Sequence, residues 1–182
     1  MNRKGFTLVE VLATIVIISI LGVVAYTGVT NYIKTSKEKA EDKFLDEIKS
    51  EIDSYISLNS AGFKKVGNTI SFEKLIVKKG TSVTNQTEVK KSATAWKVQI
   101  SGKNLTFDDL INNLKMTDKF QNPNTGEICS NNIEIEIYKD SDYVYYYCVN
   151  MKEAQGCPSS KNIDTRPQEL KKIMGETDIC KN

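Results

Sequence analysis

The sequence predicts an α+β chain in which one long N-terminal α-helix packs on a small antiparallel β-rich head. Three observations lead there: an apolar run over residues 6–29 with a single charge in it, a three- and four-residue apolar repeat that carries it on to about residue 57, and short alternating segments in the remainder. A chain of 182 residues accommodates one membrane-length segment and one domain.

The first five residues, Met1-Asn2-Arg3-Lys4-Gly5, are polar and basic and stop abruptly at Phe6. Arg3 and Lys4 favour a cytoplasmic location for this end. The 24 residues over 6–29 contain no proline, and at about 1.5 Å each they span a hydrocarbon core of about 30 Å. One charge interrupts them, Glu10. An ionised carboxylate at membrane depth costs roughly 2.5 to 3.5 kcal/mol, so such a residue needs a partner and is usually functional. An ordinary secretory signal fits less well. Val23-Val24-Ala25 offers a small-residue cleavage site, but the apolar pattern runs on past Ala25 and Glu10 is out of place in such a signal.

The stretch Lys4-Gly5-Phe6-Thr7-Leu8-Val9-Glu10, a short basic leader and Gly before Phe-Thr-Leu-Val-Glu at the head of a hydrophobic helix, resembles the type IV pilins and the related pseudopilins of secretion and DNA-uptake machines. The resemblance implies a prepilin with residues 1–5 as leader, cut between Gly5 and Phe6 by a membrane-embedded prepilin peptidase that also N-methylates Phe6. It implies that Glu10 then pairs with the Phe6 amine of a neighbouring subunit, since two opposite buried charges stabilise each other and each is costly alone. The partners it implies are sister pilin subunits in a helical polymer, minor pilins, an inner membrane assembly platform, and the membrane before assembly. The cytoplasmic membrane, with the head outside, and then a cell-surface filament are the implied locations. One departure is visible: many pilins carry a proline seventeen residues beyond the Glu, where this chain has Thr27, with Gly22 and Gly28 nearby as the helix-weakening residues.

Residues 30–60 form the amphipathic half of the helix. Ile33, Ala40, Phe44, Ile48, Ile52, Tyr55 and Ile56 make one stripe, and charged residues from Lys37 to Glu51 fill the other face. Asn59-Ser60-Ala61-Gly62 ends it, with Gly62 as the expected C-terminal cap. The head, residues 61–182, begins with strand-like runs at 69–72, 75–77 and 95–100. Thr106 is placed to cap a helix reaching about Leu114, with Asp108 and Asp109 in its first turn. The clearest hairpin joins residues 133–138 to 143–149 through Lys139-Asp140-Ser141-Asp142. Pairing Tyr138 with Tyr143 places Ile133, Ile135, Ile137, Val144, Tyr146 and Cys148 against the long helix. Glu134, Glu136, Tyr138, Tyr143, Tyr145 and Tyr147 then face solvent. A short helix is expected at 168–174.

The 4 cysteines, Cys129, Cys148, Cys157 and Cys180, all lie in the last third. In an exported domain they read as two disulfides with three connectivities open. The hairpin favours Cys129 with Cys148, leaving Cys157 with Cys180 to close a C-terminal loop. By position, that loop is similar to the disulfide-closed, exposed region of pilins.

Chemistry is scarce. With no His there is no imidazole base, no phosphate loop is present, and zinc would need four scattered thiolates. No enzyme activity, cofactor or metal is expected, since the spacing of Asp140 and Asp142 is unspecific for calcium. Formal net charge is +2, but residues 64–103 hold nine Lys against Glu73 and Glu88. This asymmetry leaves DNA or a surface ligand as the partner of an alternative reading, in which the chain is a minor pilin or competence-type pseudopilin acting as a binding module.

Overall fold

The computed structural model describes residues 7–79, 86–115, 120–152, 154–158 and 162–174. Helix α1 (Leu8–Asn59) is a single element of 52 residues, about 78 Å long at 1.5 Å per residue. It runs through Gly22 and Gly28 without a break. Its docking stripe is Phe44, Leu45, Ile48, Ile52, Tyr55 and Ile56, all buried. Ile33, expected in that stripe, is 47% exposed, because the head reaches back along the helix only to about Ala40. The helix ends in a 3-10 turn (Ser60–Gly62). Gly62 is absent from the positive-φ positions, so it closes that turn instead of acting as a left-handed cap.

Strands β1 (Lys64–Lys79) and β2 (Gln86–Gln99) form a long antiparallel hairpin with an irregularity between Val66 and Ile70, where Gly67 has φ +71°. The two short runs expected at 69–72 and 75–77 are therefore one strand. Its partner β2 starts nine residues before the expected 95, in a polar segment with no alternating pattern to announce it. The short strand β3 (Leu105–Thr106) leads into α2 (Phe107–Asn113), whose N-cap is Thr106 as expected. Thr106 and Asp109 form a reciprocal capping box at 2.8 to 3.2 Å. Strands β4 (Glu134–Asp140) and β5 (Tyr145–Val149) follow, each shifted by up to two residues from the expected hairpin arms, then β6 (Ile163–Asp164), which was not expected, and α3 (Gln168–Met174) on its expected residues. The sheet order is β1-β2-β4-β5-β6, with β3 on β4.

The front face of the sheet packs on α1 and α2 through Val98, Ile135, Ile137, Tyr147 and Val149, with the Phe107 and Phe120 rings in tilted contact at 4.7 Å. A loop before β4 reaches α1 where the rod first meets the head. Phe120 meets Phe44 edge-on at 6.5 Å, and Asn124 donates to the Glu41 carboxylate at 2.6 Å.

The β4–β5 register corrects the expected hairpin. Tyr138 pairs with Tyr146 and Ile137 with Tyr147, a slip of three positions from the Tyr138–Tyr143 pairing. An odd slip exchanges the faces of one strand. Ile133, Ile135 and Ile137 are buried as expected, but Tyr147 and Val149 join them in place of Val144, Tyr146 and Cys148. The cause is the turn. Asp140 Oδ1 accepts the Asp142 and Val144 N–H groups at 2.9 and 2.8 Å, drawing Tyr143 and Val144 out of the ladder. Nor is the back face a solvated surface, since Glu136, Tyr138 and Tyr146 are buried there. Leu170 of α3 packs on Phe72, Ala93 and Ala95, and Arg166 stacks on Tyr138 at 5.6 Å.

The cysteine pairing is corrected as well. Cys129 is bonded to Cys157, their Cα atoms 4.6 Å apart, so neither the Cys129–Cys148 nor the Cys157–Cys180 pair forms. The register slip carries Cys148 to the back face, opposite Glu136, while Cys129 belongs to the front core. The loop carrying Cys157 comes to Cys129 instead: Ser130 N–H donates to Gln155 O at 3.0 Å, and Gly156 passes directly under the Ile128 carbonyl. Cys148 is disulfide-bonded too. Cys180 lies outside the described residues.

Candidate processing and assembly site

Glu10 has a partner within its own chain. Thr7, with extended backbone at φ −77° and ψ 151°, is the N-cap of α1. Its N–H and Oγ1 donate to Glu10 Oε2 at 3.0 and 3.1 Å, and Glu10 N–H returns a bond of 3.4 Å to Thr7 Oγ1. The carboxylate also sits at the positive end of the helix dipole. Thr7 is the capping residue that the expectations from sequence did not include. Its signal was plain: Thr7-Leu8-Val9-Glu10 has the spacing of a capping box. Gly5 and Phe6, the expected cleavage and methylation residues, lie outside the described residues.

Beyond this cap the helix wall is apolar and open. Leu12, Ile18 and Leu21 are 61 to 68% exposed, and no residue of the most apolar 18-residue window is buried by the head. The hydroxyl groups here are turned inward. Thr14 donates to Val11 O, Ser19 to Ile15 O and Thr30 to Tyr26 O, at 2.8 to 3.0 Å. The segment is long and apolar enough to cross a membrane, with its backbone bonds made inside the helix.

On the head, four lysines of the basic hairpin are matched by acids. Lys74 binds Asp140 at 2.9 Å, Lys90 binds Glu73 at 3.0 Å, Lys91 binds Asp142 at 2.6 Å and Lys97 binds Glu136 at 2.5 Å. Burial pushes the Asp140 carboxyl up, but Lys74, the Val144 N–H and the Tyr146 hydroxyl together outweigh it and hold the group below its ordinary range. Lys74 responds in kind: burial pulls its ammonium down, and its bonds to Asp140 and Tyr146 carry it well above its usual value. Asp164 repeats the arrangement, with burial overcome by Arg166 and Lys171. Asp140 and Asp142 thus neutralise lysines.

Residues 1–26 match the prokaryotic N-terminal methylation motif, the type IV prepilin processing signal. No curated protein and no solved structure matches the chain. The chain thus carries the type IV prepilin processing signal at its start, ahead of a long helix packed on an antiparallel sheet, an α+β arrangement that fits a type IV pilin-like fold.

Proposed function

We propose that this chain is a structural subunit of a type IV pilus or a related pseudopilus. Prepilin peptidase removes residues 1–5 after Gly5 and N-methylates Phe6, and residues 6–29 pass from the membrane into the core of a helical filament of sister subunits. Residues 30–60 carry the head on that core. The observation behind this reading is the Thr7–Glu10 cap at the tip of an apolar helix with no partner in its own head. Among the described residues the carboxylate meets the neutral donors of Thr7, and charge-assisted bonds are about twice as strong as neutral ones. The Phe6 ammonium of a neighbour, created by the cut, supplies the cation and sets the axial register.

Mass spectrometry of the mature chain tests the first half: methyl-Phe6 is expected, and a start at Tyr26 would overturn it. Glu10→Leu tests the second. The variant is expected to insert and be cleaved yet not to assemble, and normal filaments made from it alone would refute the charge pair. A second reading, a minor subunit that binds DNA or a surface ligand, draws support from Lys65 and Lys139, which lie over Trp96 and over Tyr143 and Tyr145.

A further inference from the structure

We propose that Trp96, Tyr143 and Tyr145, with Lys65 and Lys139, form a docking ledge for single-stranded nucleic acid on the front face of the head. The sheet assembles it from distant segments. Trp96, Lys139 and Tyr145 are register partners across β2, β4 and β5. Lys139 Nζ lies over both Tyr143 and Tyr145, 4.7 and 5.1 Å from their centroids, and Lys65 Nζ lies 5.2 Å from that of Trp96. Phe63 extends the row, its ring 5.8 Å from Tyr145.

Charge selects the partner. Lys74, Lys90, Lys91 and Lys97 each rest on a carboxylate, whereas among the described residues no ion pair engages Lys65 or Lys139. Lys65 donates besides to the neutral Thr69 hydroxyl, and a cation held by a ring and a neutral oxygen can still take a phosphate and uncover the ring face as it leaves. Bases stacking on aromatics with lysines along the backbone is the pattern of single-strand recognition. A neutral glycan would need the rings but not the cations.

Tyr143 gives an independent reason. Its backbone is left-handed, φ 64°, and its side chain is 77% exposed. That conformation suits Gly or Asn and is an outlier for a bulky residue. A strained residue that displays its ring to solvent points to a role outside the subunit.

The inference holds whether the chain is the main or a minor subunit. The test uses the full chain in non-ionic detergent micelles, with fluorescein-labelled oligo(dT) of about 20 nucleotides and dextran sulfate as a polyanion without bases. Oligo(dT) is expected to bind more tightly than dextran sulfate, with affinity falling as salt rises. Tyr143→Asn, which suits the turn and preserves the fold, is expected to weaken oligo(dT) binding about tenfold and leave dextran sulfate unaffected. Lys139→Gln is expected to weaken both. Equal binding of the two polyanions, or unchanged oligo(dT) binding by Tyr143→Asn, would overturn the proposal. So would a Tyr143→Asn chain that binds oligo(dT) normally but no longer forms filaments, which would make the ledge a subunit contact. None of these outcomes bears on methyl-Phe6, so the filament reading stands or falls separately.

Discussion

Replacing Lys74 by Met removes the one cation that reaches Asp140 within 4 Å among the described residues, while keeping an unbranched side chain, one atom shorter, along the back face. Asp140 is fully buried and Lys74 one-fifth exposed. Breaking a buried pair from one side costs about 3 to 5 kcal/mol, because the remaining charge stays in a poor solvent. Asp140 keeps three donors at 2.8 to 2.9 Å, from Asp142 N–H, Val144 N–H and the Tyr146 hydroxyl. These place the expected loss at the low end, about 3 kcal/mol, which for a chain of this size lowers the thermal midpoint by roughly 6 to 12 °C. Near-UV circular dichroism of the full chain in detergent, with Trp96 and the tyrosines as reporters, measures it. The sign of the pH dependence is a second check. The Asp140 pKa is depressed below its ordinary 3.8, so its stabilisation is complete above that value and is lost as pH falls through the lower folded value. The Lys74→Met penalty should therefore be full at neutral pH and fade in strong acid. Adding Asp140→Asn should restore part of the loss at neutral pH. A shift below about 2 °C, or a penalty that does not change with pH, would refute the reasoning.

Gly156→Ala should destabilise the loop closed by Cys129–Cys157: φ is +77° and the new Cβ would lie 2.2 Å from the Ile128 carbonyl oxygen. A lowered midpoint together with new free thiols in a thiol titration is the expected result. Ile52→Ala, at a fully buried position of the docking stripe, should cost about 2 to 5 kcal/mol by chemical denaturation in detergent. Peptide mapping without reduction should yield Cys129 linked to Cys157, and Cys148 linked to Cys180, the single cysteine left for it in the sequence.

Helices were legible wherever their own residues carry the signal. Thr106 with Asp109, the stripe from Phe44 to Ile56, and Gln168–Met174 are local patterns, and each forms where its residues say. The sheet was less legible because its register depends on a turn. Asp140 accepts two backbone N–H groups and Tyr143 adopts a left-handed backbone, and neither can be read from alternation. Those few bonds decide which side of β5 is buried, and with it the fate of Cys148. The polar start of β2 stayed hidden because that strand is formed by backbone pairing with β1, which leaves no alternating pattern in the sequence. At the N-terminus the processing signature is plain in the sequence, and the same Thr7-Leu8-Val9-Glu10 stretch also encodes the capping box that Thr7 makes with Glu10.

The inward-turned hydroxyls of Thr14, Ser19 and Thr30 have a consequence for assembly. A rod that spends these protons on its own backbone carries few directional instructions along its sides, and apolar surface is nearly as content beside lipid tails as beside a sister rod. Storage and polymer then become two shallow basins of similar depth. Growth or retraction of the proposed filament would be set by work applied from outside, with the charge at the tip acting as the ratchet tooth that fixes where each step stops.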